Sequence, residues 1–393
     1  MNIVLFDDSS RESLLPLTFT RPVASLRVGI LTIAEKWEKH LKSEEVSFLT
    51  APYLEEKFPY KEADHGIFIN GSVCPSPPLL EAIDKLEDGS ALFKDKVLIA
   101  VKAKGINKDS FKDIVHLRNI EFEYTFTRII YPEDIFKFND SELRIDFELL
   151  TAGRTSEVLS STNRIMGDNI FVEEGAAAEC AIFNTTLGPV YLGRNSQVLE
   201  GASIRGAFAL CDNALVKMGA KIYGKTTIGP YSKVGGEINN AVLYANSSKG
   251  HEGFLGNSVL GEWCNIGADS NNSNLKNNYA EVKLWDYNQR RFRRTGLQFC
   301  GLIMGDHSKC GINTMFNTGT VIGVSANIFG AGYPRNFIPD FSWGGAQGYE
   351  VYALNKVFET AEKVYERRGV AFDSADKEIL SNIFELTRSF RNF

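Results

Sequence analysis

The residues with most chemistry to offer lie in Lys249-Gly250-His251-Glu252-Gly253. An imidazole titrates near neutrality, so His251 is suited to take a proton from a nucleophile as a general base. A histidine on a surface loop is the plain alternative. Lys225, Lys249 and Lys276 are basic side chains near it in sequence that could hold a phosphate, or simply be solvated lysines. Four arginines, Arg290, Arg291, Arg293 and Arg294, crowd one short stretch. They suit a polyphosphate, and a solvated, charged hairpin would read the same. Near the start of the chain, Arg11, Thr18, Arg21 and Arg27 form a second, sparser set of candidate phosphate contacts. His307-Ser308-Lys309-Cys310 suggests a metal, but Cys310 falls on the inward register described next and reads as a small core residue. No metal site is identified.

A six-residue repeat must position most of these groups. Leu192, Val198, Ile204, Leu210, Val216, Ile222, Ile228 and Val234 stand six apart, and the residue four places after each is usually small (Ser196, Ala202, Ala214, Ala220, Thr226, Ser232). That period fits neither a helix nor an alternating strand. It predicts a solenoid of short strands and corners, three hexads to a triangular coil. An earlier register holds at Met166, Val172, Ala178 and Asn184 and slips at Leu187-Gly188-Pro189. The repeat lapses after Ile238 and resumes at Phe254, Leu260 and Ile266. It lapses again from Ser273 to Gly301 and returns at Met304, Cys310, Phe316, Ile322 and Ile328, for about eight coils. His251 sits in the first lapse, and so on a loop or bulge.

The second lapse contains Glu281–Arg294, which alternates like a hairpin and is expected to project as an arm, residues 276–298. Apolar residues recur at helical spacing around Tyr349–Arg367 and Ala375–Phe390, and these two helices are expected to cap the last coil. Ahead of the solenoid, Ile3–Phe6, Val46–Leu49, Gly66–Ile69 and Val97–Ala100 read as strands between helical stretches at Leu31–Lys42 and Pro78–Glu87. The alternation predicts a parallel sheet flanked by helices. An amphipathic connector follows from Tyr131 to about Leu150. The expected division is an α/β domain over 1–150, a β-solenoid over 151–345 and a helical tail over 346–393.

The 393 residues are 44% hydrophobic and 23% charged with a net charge of −6, which argues against a general nucleic-acid binder. No stretch approaches the roughly 18–20 apolar residues of a membrane helix, and MNIVLFDDSS does not read as a secretory signal. Six cysteines without a CxxC pair fit a reducing compartment. The expectation is a cytoplasmic protein.

Lys249-Gly250-His251-Glu252-Gly253-Phe254-Leu255-Gly256-Asn257, followed by Asn265-Ile266-Gly267-Ala268 and Asn272-Ser273-Asn274, resembles the acetyltransferase half of the bifunctional GlmU family. The spacings from His251 to Asn265 and to Asn274 match that family's pattern without gaps. Phe254 stands where the family has Tyr, Asn257 where it has Asp, and the lysine lies two residues before the histidine instead of three. The resemblance implies a left-handed parallel β-helix that transfers an acetyl group from acetyl-CoA to glucosamine 1-phosphate. It makes His251 the base and Asn274 the group orienting its ring. It places Asn265, Lys249, Phe254, Lys225 and Lys276 against the sugar phosphate. Arg290, Arg291, Arg293 and Arg294 would meet the phosphates of coenzyme A or a neighbouring subunit, and a homotrimer is implied.

At the N-terminus, Leu14-Leu15-Pro16-Leu17-Thr18-Phe19-Thr20-Arg21-Pro22 is similar to a segment of sugar nucleotidyltransferases. Asp7-Asp8-Ser9-Ser10 replaces that family's Gly-rich loop, and Ser72 stands where its Mg²⁺-binding Asp would be. The resemblance implies a Rossmann-like domain that would use UTP and Mg²⁺ to form UDP-N-acetylglucosamine. The whole layout looks like a divergent GlmU-like subgroup. Two rival expectations are nucleotidyl transfer alone, with the solenoid as an oligomerisation or regulatory module, and a non-enzymatic scaffold.

Overall fold

The computed structural model describes residues 2–43, 46–62, 65–104, 108, 111 and 116–393. It divides into an α/β unit, the chain up to Leu26 with Leu31–Tyr131, and a solenoid unit, Arg27–Ile30 with Pro132–Phe393.

The α/β unit is built on strands β1 (Asn2–Phe6), β2 (Val46–Leu49), β3 (His65–Asn70), β4 (Ser90–Lys94), β5 (Val97–Lys104) and β6 (Arg118–Glu121), in the order β2-β1-β3-β5-β4-β6. β1 runs parallel to both β2 and β3, and its residues Ile3, Val4, Leu5 and Phe6 are buried, as an inner parallel strand requires. β5 is antiparallel to both β3 and β4, so the sheet is mixed where an all-parallel one was expected. The reason is the connection. Only Asp95 and Lys96 separate β4 from β5, both with left-handed backbone (φ 49° and 68°), and a two-residue hairpin turn allows no parallel crossover. Helices α1 (Ser10–Ser13), α2 (Ile33–Leu41) and α3 (Pro77–Asp84) complete the unit. A capping box starts α2: the Thr32 hydroxyl accepts from the Glu35 N–H at 3.2 Å, and the Glu35 carboxylate accepts from the Thr32 N–H at 2.6 Å. Ile33 and Trp37, four apart, are fully buried.

The solenoid unit begins with helix α4 (Pro132–Thr151), read above as a connector. It packs on the coils instead: the buried Asn139 side chain donates to the Lys225 carbonyl (3.0 Å) and the Thr227 hydroxyl (3.1 Å). Three inward ladders follow. One carries Val172, Leu192, Leu210, Ile228, Leu243, Leu260, Met304, Ile322 and Ile338, all fully buried. Burying each such aliphatic side chain is worth about 1.5–3 kcal/mol. A second runs through Ala178, Val198, Val216, Val234, Lys249, then Ile266, Cys310 and Ile328. Phe183, Ile204, Ile222, Ile238 and Leu255 form the third. The small residues of the repeat fill the corners, where the buried Ser232 and Ser247 hydroxyls each donate to a carbonyl of the next coil (Tyr244 and Gly261, both 2.6 Å).

Three positions differ from the expected register. Met166 is exposed, and Ile165 is the residue paired with the inward Phe183. Phe183, not Asn184, points into the core, and Leu255, not Phe254, does so after the first lapse. In the long strands Glu237–Leu243 and Phe254–Leu260 the inward residues are five apart (Ile238 to Leu243, Leu255 to Leu260), because Asn240 and Asn257 take a left-handed step (φ 48° and 49°) in place of a longer corner. The hexads shorten locally without breaking the ladder.

The expected arm does not project. Its strands, Lys283–Asp286 and Arg291–Arg294, pair antiparallel, but Val282 and Leu284 are buried and the Trp285 ring stacks on Phe337 at 4.3 Å. The Tyr287 hydroxyl donates to the buried Asp340 carboxylate at 2.9 Å. The last coil ends in its own antiparallel strand, Gly348–Val351, paired with Ser342–Gly345. Helices α5 (Leu354–Glu366) and α6 (Ser374–Leu386) are therefore not what closes the edge of the ten-stranded sheet. They run back along the flank, where Tyr365 stacks on Trp263 at 3.9 Å and Phe384 meets Phe341 edge-on. No helix of the described residues is long and apolar enough to cross a membrane.

Candidate functional site

In a sheet ordered β2-β1-β3, the chain leaves β1 to one side and returns to the other, which opens a crevice beyond the carboxyl ends of β1 and β3. Asp7 and Asp8 follow β1, and Asn70 closes β3 just before Ser72. The Asp8 carboxylate accepts from the Ser10 N–H (2.9 Å), the Asn70 amide (2.8 Å) and the Arg128 guanidinium (2.5 Å). Arg128 also donates to the Ser72 hydroxyl at 3.1 Å, and that hydroxyl donates to Asn70 Oδ1 at 2.7 Å. Asp7 in turn accepts from Arg11 (3.2 Å), the Thr50 hydroxyl (2.5 Å) and the Val23 N–H (2.8 Å). Arg11 further donates to Tyr53 Oη at 2.9 Å and to the Arg21 carbonyl at 3.0 Å.

These contacts split the two carboxyls. Burial pushes Asp8 upward, but the bonds from Ser10 and Asn70 and the Arg128 charge outweigh it, so the group ends below the usual carboxylate range. For Asp7 burial wins over Arg11, Thr50 and Val23, and its carboxyl is raised. The Mg²⁺ implied by the resemblance does not fit this donor set. Every carboxylate oxygen of Asp7 and Asp8 already accepts a hydrogen bond, the Ser72 hydroxyl is used by Asn70, and an arginine fills the cationic position. Among the described residues no three His, Cys, Asp or Glu side chains converge to hold a metal.

Of the N-terminal candidates, only Arg11 reaches the crevice. Thr18 is buried with its hydroxyl donating to the Arg11 carbonyl at 2.6 Å, and Arg21 is buried behind it. Arg27 lies in the other unit and donates to the Ile30 carbonyl. Arg128 had no signal in the sequence: it lies 120 positions from Asp8 and in no recognisable motif, and although Asp8 stands at the position of the Gly-rich loop, nothing there announced its arginine partner.

On the solenoid, His251 lies exposed at a corner, and its imidazole makes no hydrogen bond among the described residues. Asn274 instead donates to Asn257 Oδ1 at 2.8 Å. Gly256 lies under both Asn274 and the Phe254 ring: a Cβ there would meet the ring at 2.4 Å and the Asn274 amide at 2.9 Å. Phe254, Asn257 and Asn274 thus form one patch. Asn265 is elsewhere, exposed on the face that carries Ser248 and Lys309.

Lys249 is not a surface phosphate ligand. It occupies an inward ladder position, and its ammonium donates to the carbonyls of Gly235 (3.4 Å), His251 and Glu252 (3.0 Å). Burial, against the attraction of Glu252, lowers its pKa to about 8. Lys225 is exposed at a left-handed corner (φ 52°), and Lys276 donates to the Glu281 carbonyl at 3.0 Å at the base of the hairpin. Nor do the four arginines form a phosphate clamp. Arg293 is paired with Glu133 (2.6 Å) and Asp286 (3.6 Å), and Arg294 with Glu281 (3.5 Å). Arg290 lies over the Phe390 ring, and Arg291 donates to Gln289 at 3.0 Å.

Residues 3–155 match the family model described as sugar nucleotidyl transferase. The chain is similar to the bifunctional protein GlmU of Methanocaldococcus jannaschii, 31% identical over 87 residues, which cover 22% of this chain and 21% of that protein. It is also similar to the GlmU of Methanococcus aeolicus, 30% identical over 87 residues, covering 22% and 20%. It therefore spans about a fifth of the length of these two relatives. Among solved structures, a UDP-N-acetylglucosamine acyltransferase of Francisella novicida aligns at a TM-score of 0.32 and 12% identity, over 60% of this chain and 79% of that one.

Proposed function

We propose that this chain, a divergent member of the GlmU-like family, is a sugar-phosphate transferase whose α/β unit joins a nucleoside monophosphate to a sugar 1-phosphate. The observation that carries the reading is the Arg128–Asp8–Asn70–Ser72 network in the crevice beyond β1 and β3, with Arg11 beside it. In the proposed reaction a phosphate oxygen of the sugar 1-phosphate attacks the α-phosphorus of UTP. The bond from that phosphorus to the α–β bridging oxygen breaks, and pyrophosphate leaves with the electron pair. Arg128 and Arg11 are the groups placed to share the charge that grows on the α-phosphate oxygens. The ionised Asp8 and the Asp7 carboxylate hold the two guanidiniums in position between turnovers, so the site is set before substrate arrives. Full-length protein with UTP, supplied as its magnesium complex, and glucosamine 1-phosphate or its N-acetyl form should release pyrophosphate. If no pair of nucleoside triphosphate and hexose or hexosamine 1-phosphate yields pyrophosphate, the proposal fails.

A second reading, acetyl transfer from acetyl-CoA to a hexosamine 1-phosphate on the solenoid, is favoured by one observation. The exposed His251 stands on a corner whose carbonyls are fixed by a buried ammonium. Free thiol released from acetyl-CoA by the full chain, and lost in His251→Ala, would support it. Thiol release that His251→Ala leaves intact would remove His251 as the base.

A further inference from the structure

The ten-stranded face of the solenoid carries an outward column read directly from the register: Lys233 beside Ser248, Ser248 beside Asn265, and Asn265 beside Lys309. Neighbouring strands are about 4.8 Å apart, so the two lysines are roughly 14 Å apart with polar side chains between them. Helix α5 docks along this column through the Tyr365–Trp263 stack, and Arg368 donates to the Tyr231 carbonyl at 2.9 Å. A groove of about 790 Å³ remains between helix and sheet. Lys363, Arg367 and Arg368 line it from the helix side, facing Lys233 and Lys309.

None of these five cations forms an ion pair among the described residues. Glu359, the one carboxylate of the lining, is engaged by Lys356 at 2.8 Å. Lys309 spends one proton on the His307 carbonyl at 2.8 Å and keeps the others. The cost of this crowding is visible in the charges themselves. Burial and then the neighbouring Arg368 hold Lys233 below an ordinary lysine, and burial and then Arg367 do the same to Arg368. Five cations around a single carboxylate that is already engaged, in a partly enclosed groove beside the hydrogen-bonding side chains of Asn246, Ser248 and Asn265, suit a compact polyanion.

We propose that the groove between α5 and the ten-stranded face is a binding site for a diphosphate group, carried by a nucleotide or by coenzyme A. The site stands apart from the α/β crevice and does not depend on the activity proposed for it. Its size exceeds what inorganic pyrophosphate needs and leaves room for the rest of such a molecule.

The test is calorimetric titration of the full-length protein with inorganic pyrophosphate, UDP and desulfo-coenzyme A, in wild type and in an Arg128→Met background chosen to weaken the phosphate site proposed for the α/β crevice. Binding of at least one probe at millimolar concentration or below is expected. It should weaken by roughly tenfold or more in Lys363→Glu/Arg367→Glu, two exposed residues whose replacement leaves the core alone. Tighter binding of UDP than of pyrophosphate assigns a nucleotide, and tighter binding of desulfo-coenzyme A assigns the acyl carrier. No binding of any probe, or binding that the double variant leaves unchanged, would overturn the proposal. Pyrophosphate release in the wild type can fail or succeed independently of either result.

Discussion

Lys249 holds backbone carbonyls of two successive coils with one ammonium, and with them the corner that displays His251. Lys249→Met keeps the bulk of the side chain and removes those bonds. Amide hydrogen exchange across residues 250–253 should then quicken by roughly tenfold, with the rest of the solenoid unaffected; equal exchange would show that the corner holds itself. The same residue makes a pH prediction. Its folded pKa of about 8 lies below the 10.5 of a free lysine, so between those values the unfolded chain binds a proton that the fold has released. Wild-type stability should therefore gain on that of Lys249→Met as pH rises from about 8 towards 10, measured by denaturant unfolding at each pH. At this scale little was legible beforehand. His251 and Asn274 were visible as residue types at a spacing, whereas side-chain direction is set by a ladder register that a one-residue step reverses.

The elements were easier to read, and their errors have identifiable causes. An uninterrupted hexad run announces a solenoid because each inward residue must be apolar and each corner small. The displaced Phe254 and Asn184 follow from irregular steps whose left-handed residue is an asparagine or lies at a corner, and asparagine is common enough there to carry no warning. Asn257→Val puts a β-branched residue at φ 49° and removes the bond from Asn274. It should cost about 1–2 kcal/mol of unfolding free energy. The hairpin was visible as alternation, but its docking was not, since a buried Leu284 and an exposed one read alike. Leu284→Ala should cost about 2–5 kcal/mol if the hairpin is packed as described, and near nothing if it projects into solvent.

At the scale of the whole molecule, the repeat and the α/β alternation separate two units with different chemistry. The α/β crevice pairs each guanidinium with a carboxylate, and the solenoid groove leaves its cations unpaired. The central claim concerns the first. Arg128, with its side chain only 18% exposed, pairs with Asp8 and donates to Ser72, the residue at the position where the resemblance implies a metal-binding carboxylate. The most direct measurement is the rate of pyrophosphate release by the full-length protein, wild type against Arg128→Met, with the melting temperature of each as a control for folding. A fall of roughly a hundredfold or more in a variant that still melts cooperatively is the predicted result. A variant that releases pyrophosphate at the wild-type rate would contradict the account.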